Sequence, residues 1–247
     1  MVIHRGRPLL PNPKPLIDHL LENADRLHAV IKRNPIFSGP SLHFHRAALR
    51  PGASYEERIE PIYAVLASWG MHRMGAGGPK MLDFPTFRDA LLKIRSDVER
   101  LAGASYKSAS QTEIDELVRL ASSFRVMHTG TWLVANTKVL AHLLPDLVAP
   151  IDREYTLRYV VGRKDVASRD EPVLLSHVTA RFLWPAAKDP RLQSVAARWM
   201  TADESSWDSS PLKIVDNLLI AAVAEKRAQD RTARNGGTAD EDGVGDA

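Results

Sequence analysis

The chain contains no cysteine among its 247 residues. This absence excludes disulfide bonds, thiolate zinc sites, cysteine-ligated iron–sulfur clusters and cysteine nucleophiles. Long apolar runs are also lacking: the longest, residues 218–224, has seven residues, whereas a membrane-spanning helix needs about twenty. The positive charges at the N-terminus are followed by prolines rather than by the apolar core of a signal peptide. We therefore expect a soluble, cytoplasmic protein that does not bind membranes.

Charge is distributed unevenly along the sequence. The net charge is +3, but residues 230–247 hold two arginines and five acids, which leaves 31 basic and 25 acidic side chains, or +6, in residues 1–229. The last stretch is rich in Gly, Ala and Asp and has almost no large apolar residue, so we predict a disordered tail over 230–247. The mildly basic body is compatible with a nucleic acid partner but does not require one.

Apolar residues recur at helical spacing over most of the chain, and no strict alternation longer than four residues indicates a strand. No repeat and no long linker precede residue 230, so we predict an all-helical domain of one or two lobes over residues 1–229. Segment 75–79, GAGGP, predicts an irregular loop. The predicted helices span residues 16–31, 55–69, 84–101, 113–127, 130–144, 153–161, 173–183, 190–200 and 211–227.

The segment 128–159, HTGTWLVANTKVLAHLLPDLVAPIDREYTLRY, holds the strongest candidate site. On a helix over 130–144, Lys138 lies away from the leucine-rich face and near His142. Asp152 stands at the start of the next predicted helix, where backbone N–H groups and the helix dipole favour an ionised carboxylate. Since the connector between the helices is short, an antiparallel return would bring the Lys138 ammonium and the Asp152 carboxylate to one cleft.

These residues resemble a motif of the helix-hairpin-helix DNA glycosylases, including the oxoguanine-type enzymes. In that family a glycine-rich hairpin ends in a lysine step, an apolar helix follows, and a proline–aspartate segment opens the next helix. Thr137-Lys138-Val139 is similar to the lysine step, and Ala149-Pro150-Ile151-Asp152 is similar to the aspartate step. The hairpin glycines are absent, with Val134-Ala135-Asn136 in their place, so contact with a DNA phosphate must be made differently here.

The resemblance implies catalytic roles for Asp152 and Lys138. Asp152 would correspond to the aspartate that stabilises the sugar cation and helps to position water, and Lys138 to the Schiff-base lysine of the bifunctional members. A fixed carboxylate suits this chemistry because breaking an N-glycosidic bond builds positive charge on the sugar. The alternative interpretation is that Asp152 only caps a helix.

A glycosylase must also move its target base out of the helix stack into a pocket that stacks and hydrogen-bonds it. Trp132, Trp69 and Tyr155 are the aromatic candidates for this pocket. His142, one turn after Lys138, either lines the same pocket or belongs to the core.

Basic side chains near these segments are candidates for DNA contacts. Arg73 and His72 follow a helix end and precede the glycine loop. They either bind a phosphate or a base edge, or they satisfy carbonyl groups at the helix end. Arg153 and Arg158, which follow Asp152, face either the nucleic acid backbone or solvent.

The sequence therefore predicts a DNA glycosylase that acts on double-stranded DNA containing a modified base, in repair or in defence against phages with modified DNA. We expect no cofactor and no metal, because no third ligand accompanies His43 and His45 at convincing spacing. We expect hydrolysis without strand cleavage, since a nearby Asp152 keeps Lys138 charged and therefore not nucleophilic. The alternative from another class is a non-catalytic helical module that binds DNA or a protein.

Overall fold

Helical backbone dominates the computed structural model, which describes residues 12–33, 39–75, 78–202 and 207–236. The all-helical prediction is confirmed for these residues, apart from one pair of two-residue strands. Single π-helical turns occur at Ala67–Met71, Arg153–Leu157 and Thr179–Leu183, and a 3-10 turn at Ser168–Asp170. The α-helices are α1 Lys14–Glu22, α2 Ala24–Arg33, α3 Pro40–Ala48, α4 Tyr55–Leu66, α5 Phe84–Lys93, α6 Arg95–Leu101, α7 Gln111–Ser123, α8 Leu133–Leu143, α9 Arg158–Val161, α10 Glu171–Val178, α11 Trp184–Lys188, α12 Pro190–Ala202 and α13 Pro211–Gly236.

Proline and short polar residues fix two of the predicted helix starts. Pro85 lies in the first turn of α5, behind Asp83, whose carboxylate accepts the N–H of Thr86 at 2.9 Å. At the start of α13, the Ser210 hydroxyl accepts the N–H of Lys213 at 3.1 Å. Both starts follow directly from the local sequence.

Two of the predicted helices are each divided into two. The helix predicted over 16–31 breaks at Asn23, whose side-chain amide donates to the carbonyl of His19 at 2.9 Å. An asparagine that bonds the backbone in this way competes with the helical ladder. The helix predicted over 84–101 breaks at Ile94, which has φ −97° and ψ 2° and whose N–H closes a tighter turn onto the Leu91 carbonyl.

Three features of the described chain differ from the sequence prediction. Helices α3 and α11 were not predicted. Segment 75–79 is not an irregular loop throughout, because Met74–Gly75 (β1) pairs antiparallel with Gly78–Pro79 (β2). The residues between the two strands lie outside the described part of the chain.

The core is built around α8 and α13. Residues 212–219 of α13 are all buried, as expected for a helix with neighbours on every side, and α2, α11 and α12 pack against it. Most residues of α8 are also buried, with α4, α7 and α10 as neighbours. Within the described ranges, no helix is both long and apolar enough to span a membrane.

The predicted tail begins inside α13. This helix continues to Gly236, so residues 230–236 are helical rather than disordered, and residues 237–247 lie outside the described part of the chain. The side chains of residues 230–233 are all exposed. The start of the tail is therefore a solvated continuation of a helix that is anchored elsewhere.

Truncation directly after Gln229 should leave the thermal unfolding midpoint unchanged, because residues 230–233, the removed residues whose side chains the structure describes, are all exposed. Thermal unfolding followed by circular dichroism measures this. Truncation after Leu219, which cuts into the buried half of α13, should prevent folding and serves as the control. A clearly lowered midpoint for the chain ending at Gln229 would show that the removed segment docks on the body.

Candidate active site

One threonine sets the register between α8 and the segment that carries Asp152. The Thr137 hydroxyl donates to the Leu133 carbonyl at 2.7 Å and accepts the N–H of Ile151 at 3.1 Å. Thr137 and Ile151 are the direct neighbours of Lys138 and Asp152 in the sequence. This single buried contact therefore holds the two candidate catalytic residues side by side.

The structure joins Lys138 and Asp152 in an ion pair. Lys138 Nζ lies 2.9 Å from Asp152 Oδ2, and the two side chains are 12% and 23% exposed. The other carboxylate oxygen, Oδ1, accepts the N–H of Glu154 at 2.8 Å and so caps the π-helical turn that follows. Both predicted roles of Asp152 therefore occur: Oδ2 pairs with Lys138, and Oδ1 caps the turn. The Asp152 side chain remains partly exposed to solvent.

The Asp152 carboxylate is held in its ionised form. Burial raises its pKa, but the Lys138 ammonium and the N–H groups of Glu154 and Tyr155 lower the pKa by more, so that it lies below the ordinary value. At neutral pH the pair therefore consists of a fixed anion and a fixed cation at the edge of the core.

Trp69 covers the lysine from the side. The Lys138 ammonium lies 5.2 Å from the centre of the Trp69 ring, a distance typical of a cation–π contact. Trp69 belongs to the π-helical turn Ala67–Met71 that ends α4. The turn includes Gly70 in the left-handed region, with φ 74°, a conformation that a side chain at this position would strain. This turn directs the half-buried indole of Trp69 toward α8.

Behind the ion pair, two buried histidines form a directional hydrogen-bond chain. The Lys138 carbonyl can only accept, so His142 Nδ1, at 2.7 Å, donates to it. In a neutral ring His142 Nε2 is then an acceptor, and it receives the proton of His45 Nδ1 at 3.0 Å. His45 Nε2 accepts in turn from the Ser209 hydroxyl at 3.1 Å. Each group in the chain has one fixed role.

Both imidazoles are neutral at physiological pH. The pKa of His142 is lowered to about 4, mainly by burial; the hydrogen bond to the Lys138 carbonyl opposes this in part, and the nearby Lys213 cation adds a smaller lowering effect. Burial also lowers the pKa of His45 well below its ordinary value, with added repulsion from His142, Lys213 and Arg46. Within the described residues, no group of three His, Asp or Glu side chains could hold a metal ion.

The indole rings of Trp69 and Trp207 connect the two buried histidines to Lys138. The Trp69 ring centre lies 5.7 Å from that of His142 and 5.8 Å from that of Trp207, and Trp207 lies 4.7 Å from His45. His142 thus contacts both the backbone of Lys138 and the indole that covers the Lys138 ammonium. It belongs to the site and to the core at once.

A buried carboxylate caps the helix that carries Lys138. Glu171, at the start of α10, is 1% exposed, and its Oε2 accepts the N–H groups of Trp132 and Leu133 at 2.8 and 3.3 Å. Trp132 occupies the N-cap position of α8 but has no side chain that can cap. Two of the orphan N–H groups at this helix start are therefore satisfied by a residue from a distant part of the sequence.

Neither a scan against protein-family models nor searches of curated proteins and of solved structures find a match to this chain. The functional interpretation therefore depends on the geometry of the residues themselves.

The structure brings only some of the predicted pocket and DNA-contact residues to the ion pair. Trp132 is 4% exposed and lies in the core at the start of α8. His72 and Arg73 are exposed, and Arg73 Nε donates to the Gly70 carbonyl at 2.9 Å, in agreement with the carbonyl-satisfying interpretation. Tyr155 is half-buried in the turn directly after Asp152.

The two arginines after Asp152 have different environments. Arg158 is exposed and pairs with Glu154 at 3.3 Å. Arg153 is half-buried, and among the described residues it has no ion-pair or hydrogen-bond partner.

Sequence reasoning missed His45, Ser209, Trp207 and Glu171. His45 was considered only together with His43 as an incomplete metal site, because α3 was not predicted. A signal for α3 existed: Leu42, His45 and Leu49 recur at helical spacing after a Gly-Pro start, provided that His45 is counted as a buried position. No local pattern indicated the contacts of Ser209 and Glu171.

Replacing Thr137 by valine should destabilise the protein by about 1–3 kcal/mol, because the N–H of Ile151 stays buried and loses its acceptor. Denaturant unfolding measures this loss, and hydrogen exchange of the Ile151 amide should become faster. Thr137→Ser keeps the hydroxyl and should preserve slow exchange at Ile151. If the exchange rate in Thr137→Val equals that of the wild type, the threonine does not set this register.

Proposed function

We propose that this protein is a DNA glycosylase of the helix-hairpin-helix type, which flips a modified base out of double-stranded DNA and hydrolyses its N-glycosidic bond. The observation that carries the proposal is the Lys138–Asp152 ion pair at 2.9 Å, with a carboxylate that is ionised, partly exposed and fixed through both oxygens. Such a carboxylate is oriented before the substrate binds and costs no reorganisation during the reaction.

The chemistry assigned to Asp152 is electrostatic. As the bond between the sugar and the base breaks, positive charge develops on the sugar, and the ionised Asp152 carboxylate stabilises this charge in a site of low dielectric constant. Water then gives its hydroxyl to the sugar carbon, and its remaining proton neutralises the departing base. The products are a free base and an intact strand with an abasic sugar.

The surroundings of the pair support a site rather than a purely structural contact. Trp69, which contacts Lys138, and Tyr155, which follows Asp152 in the chain, both lie in π-helical turns, Ala67–Met71 and Arg153–Leu157. Single π-helical turns occur frequently at functional sites. Half-buried aromatic side chains of this kind are suited to stack on an extruded base.

We expect Lys138 to act as a cation and not as a nucleophile. Its ammonium lies 2.9 Å from Asp152 Oδ2 and 5.2 Å from the centre of the Trp69 ring, so it is engaged by a carboxylate and an aromatic face. A charged amine has no lone pair with which to attack the sugar, so no imine forms. Borohydride treatment during turnover should therefore trap little protein–DNA adduct, and Lys138→Ala should weaken activity without changing the product. Efficient trapping by the wild type that disappears in Lys138→Ala would show a lyase instead.

The proposal is tested by incubating the protein with genomic DNA and analysing released bases by mass spectrometry. DNA from phages with hypermodified bases, DNA with oxidised or alkylated bases and unmodified DNA form the three substrates. Release of a base from one of the modified substrates, with abasic sites left in the strand, is the expected result. If no substrate releases a base, the glycosylase proposal is wrong.

A non-catalytic helical module that binds DNA or a protein is the second candidate. The capping bond from Glu154 N–H to Asp152 Oδ1 favours it, because capping alone would account for an aspartate at this position. This candidate predicts binding without release of any base. Hence the mass spectrometric measurement distinguishes the two.

A further inference from the structure

The C-terminal helix continues far beyond the surface that it helps to bury. In α13 residues 212–219 are buried, whereas residues 228–233 are all exposed. At 1.5 Å per residue, the stretch from Arg227 to Gly236 extends by about 14 Å. Because residues 228–233 are exposed, this part of the helix contributes no buried surface to the core.

Arg227 connects this extension to the turn after Asp152. Its guanidinium lies 5.6 Å from the centre of the Tyr155 ring, and it pairs with the Glu154 carboxylate. A second bond runs from Arg227 to the Glu154 carbonyl at 3.3 Å. The extension therefore starts beside the backbone that positions Asp152.

The face of α13 that carries Arg227 also carries a basic residue farther along the extension. Arg231 follows Arg227 by four residues, a spacing that lies on one face of an α-helix. Arg231 is exposed, about 6 Å farther along the helix axis than Arg227, and has no partner among the described residues. Asp230 lies near the same face and offsets part of this charge.

The turn itself also carries excess positive charge. Three cations, Arg158, Lys164 and Arg227, share the single carboxylate of Glu154. Arg153, beside Asp152, has no acidic partner in the part of the chain that the structure describes. We define the basic patch as five side chains around the Asp152 turn: Arg153, Arg158, Lys164, Arg227 and Arg231. Even with Glu154 and Asp230 included, the charge of this surface is positive.

We propose that the basic patch, including the exposed part of α13, binds the sugar–phosphate backbone of the DNA beside the flipped base. The inference depends on the proposed function, because the DNA is the substrate of that reaction. DNA is a suitable occupant since a duplex rises about 3.4 Å per base pair, so an extension of about 14 Å follows the backbone over about four base pairs.

Arg231→Ala tests the patch without disturbing the body, because Arg231 is exposed and has no partner among the described residues. Binding of the full chain to a short fluorescent duplex is measured by anisotropy over a range of salt concentrations. Loss of one phosphate contact should make the negative slope of log K against log salt shallower by about one. The binding affinity should fall about eightfold at ~0.1 M salt. Arg88→Ala on α5, an exposed arginine in a helix that packs on α4 and α6, makes the same change in net charge and should leave the slope unchanged.

An unchanged slope in Arg231→Ala, or an equal change in Arg88→Ala, overturns the inference. Base release by the wild type together with an unchanged slope would leave the proposed function standing and reject only the patch. A reduced slope without base release from any substrate would support the patch and reject the glycosylase. A wild-type chain that binds no duplex would reject both.

Discussion

Asp152→Asn should abolish base release and leave the fold intact. The asparagine side chain keeps an oxygen that can accept the N–H of Glu154, and asparagine caps helices as well as aspartate does. What it loses is the negative charge that faces Lys138 and, in the proposed reaction, the sugar cation. Removal of one such electrostatic contact reduces turnover by about 10²–10³-fold in other enzymes, and loss of a full charge should cost at least as much.

The measurement is single-turnover base release, with circular dichroism to verify folding. Asp146→Asn provides the matched control, because Asp146 is an exposed carboxylate in the same connector between α8 and Asp152. It should retain wild-type turnover. Wild-type turnover in a well-folded Asp152→Asn protein would show that Asp152 only caps the helix.

The second large effect is a loss of stability in mild acid. Burial lowers the pKa of His142 to about 4 from an ordinary value of 6.5, so the unfolded chain takes up a proton at a higher pH than the folded chain does. The stability due to the neutral ring is complete above pH 6.5 and declines as the pH falls toward 4. Between pH 6.5 and pH 5 this amounts to about 2 kcal/mol from His142 alone, and buried His45 acts in the same direction.

Denaturant unfolding at several pH values between 5 and 7.5 measures this dependence. His142→Asn retains a donor toward the Lys138 carbonyl but cannot titrate, so its stability should vary less with pH than that of the wild type. His43 is an exposed residue of α3, two positions before His45. The stability of His43→Asn should therefore depend on pH in the same way as that of the wild type. A wild-type stability that is the same at pH 5 and pH 7 would contradict the assignment of neutral buried rings.

The ion pair was predictable because it depends on local features. Helical periodicity placed Lys138 away from the leucine-rich face, the short connector implied an antiparallel return, and the position of Asp152 implied a cap. All three features lie within the segment 128–159. The observed distance of 2.9 Å agrees with this prediction.

The residues behind the pair were not predictable in the same way. His45 occupies a buried position on α3, and a scale that treats histidine as polar hides the periodicity of that helix. Its burial depends on the contacts with His142 and Ser209, which lie 97 and 164 residues away in the sequence. The burial of Trp132, which is 4% exposed at the start of α8, was equally hard to predict, and its assignment to a base pocket stays a prediction.

The cap on α8 has a consequence for the order in which the protein assembles during synthesis. Helix α8 carries Lys138 and His142, but its first N–H groups are satisfied by Glu171, which lies 39 residues after Trp132. A nascent chain that has emerged only as far as Asp152 contains both members of the ion pair and lacks the carboxylate that completes their helix. We therefore expect the Lys138–Asp152 geometry to become stable only after α10 has left the ribosome, so that shorter chains lack the assembled candidate site.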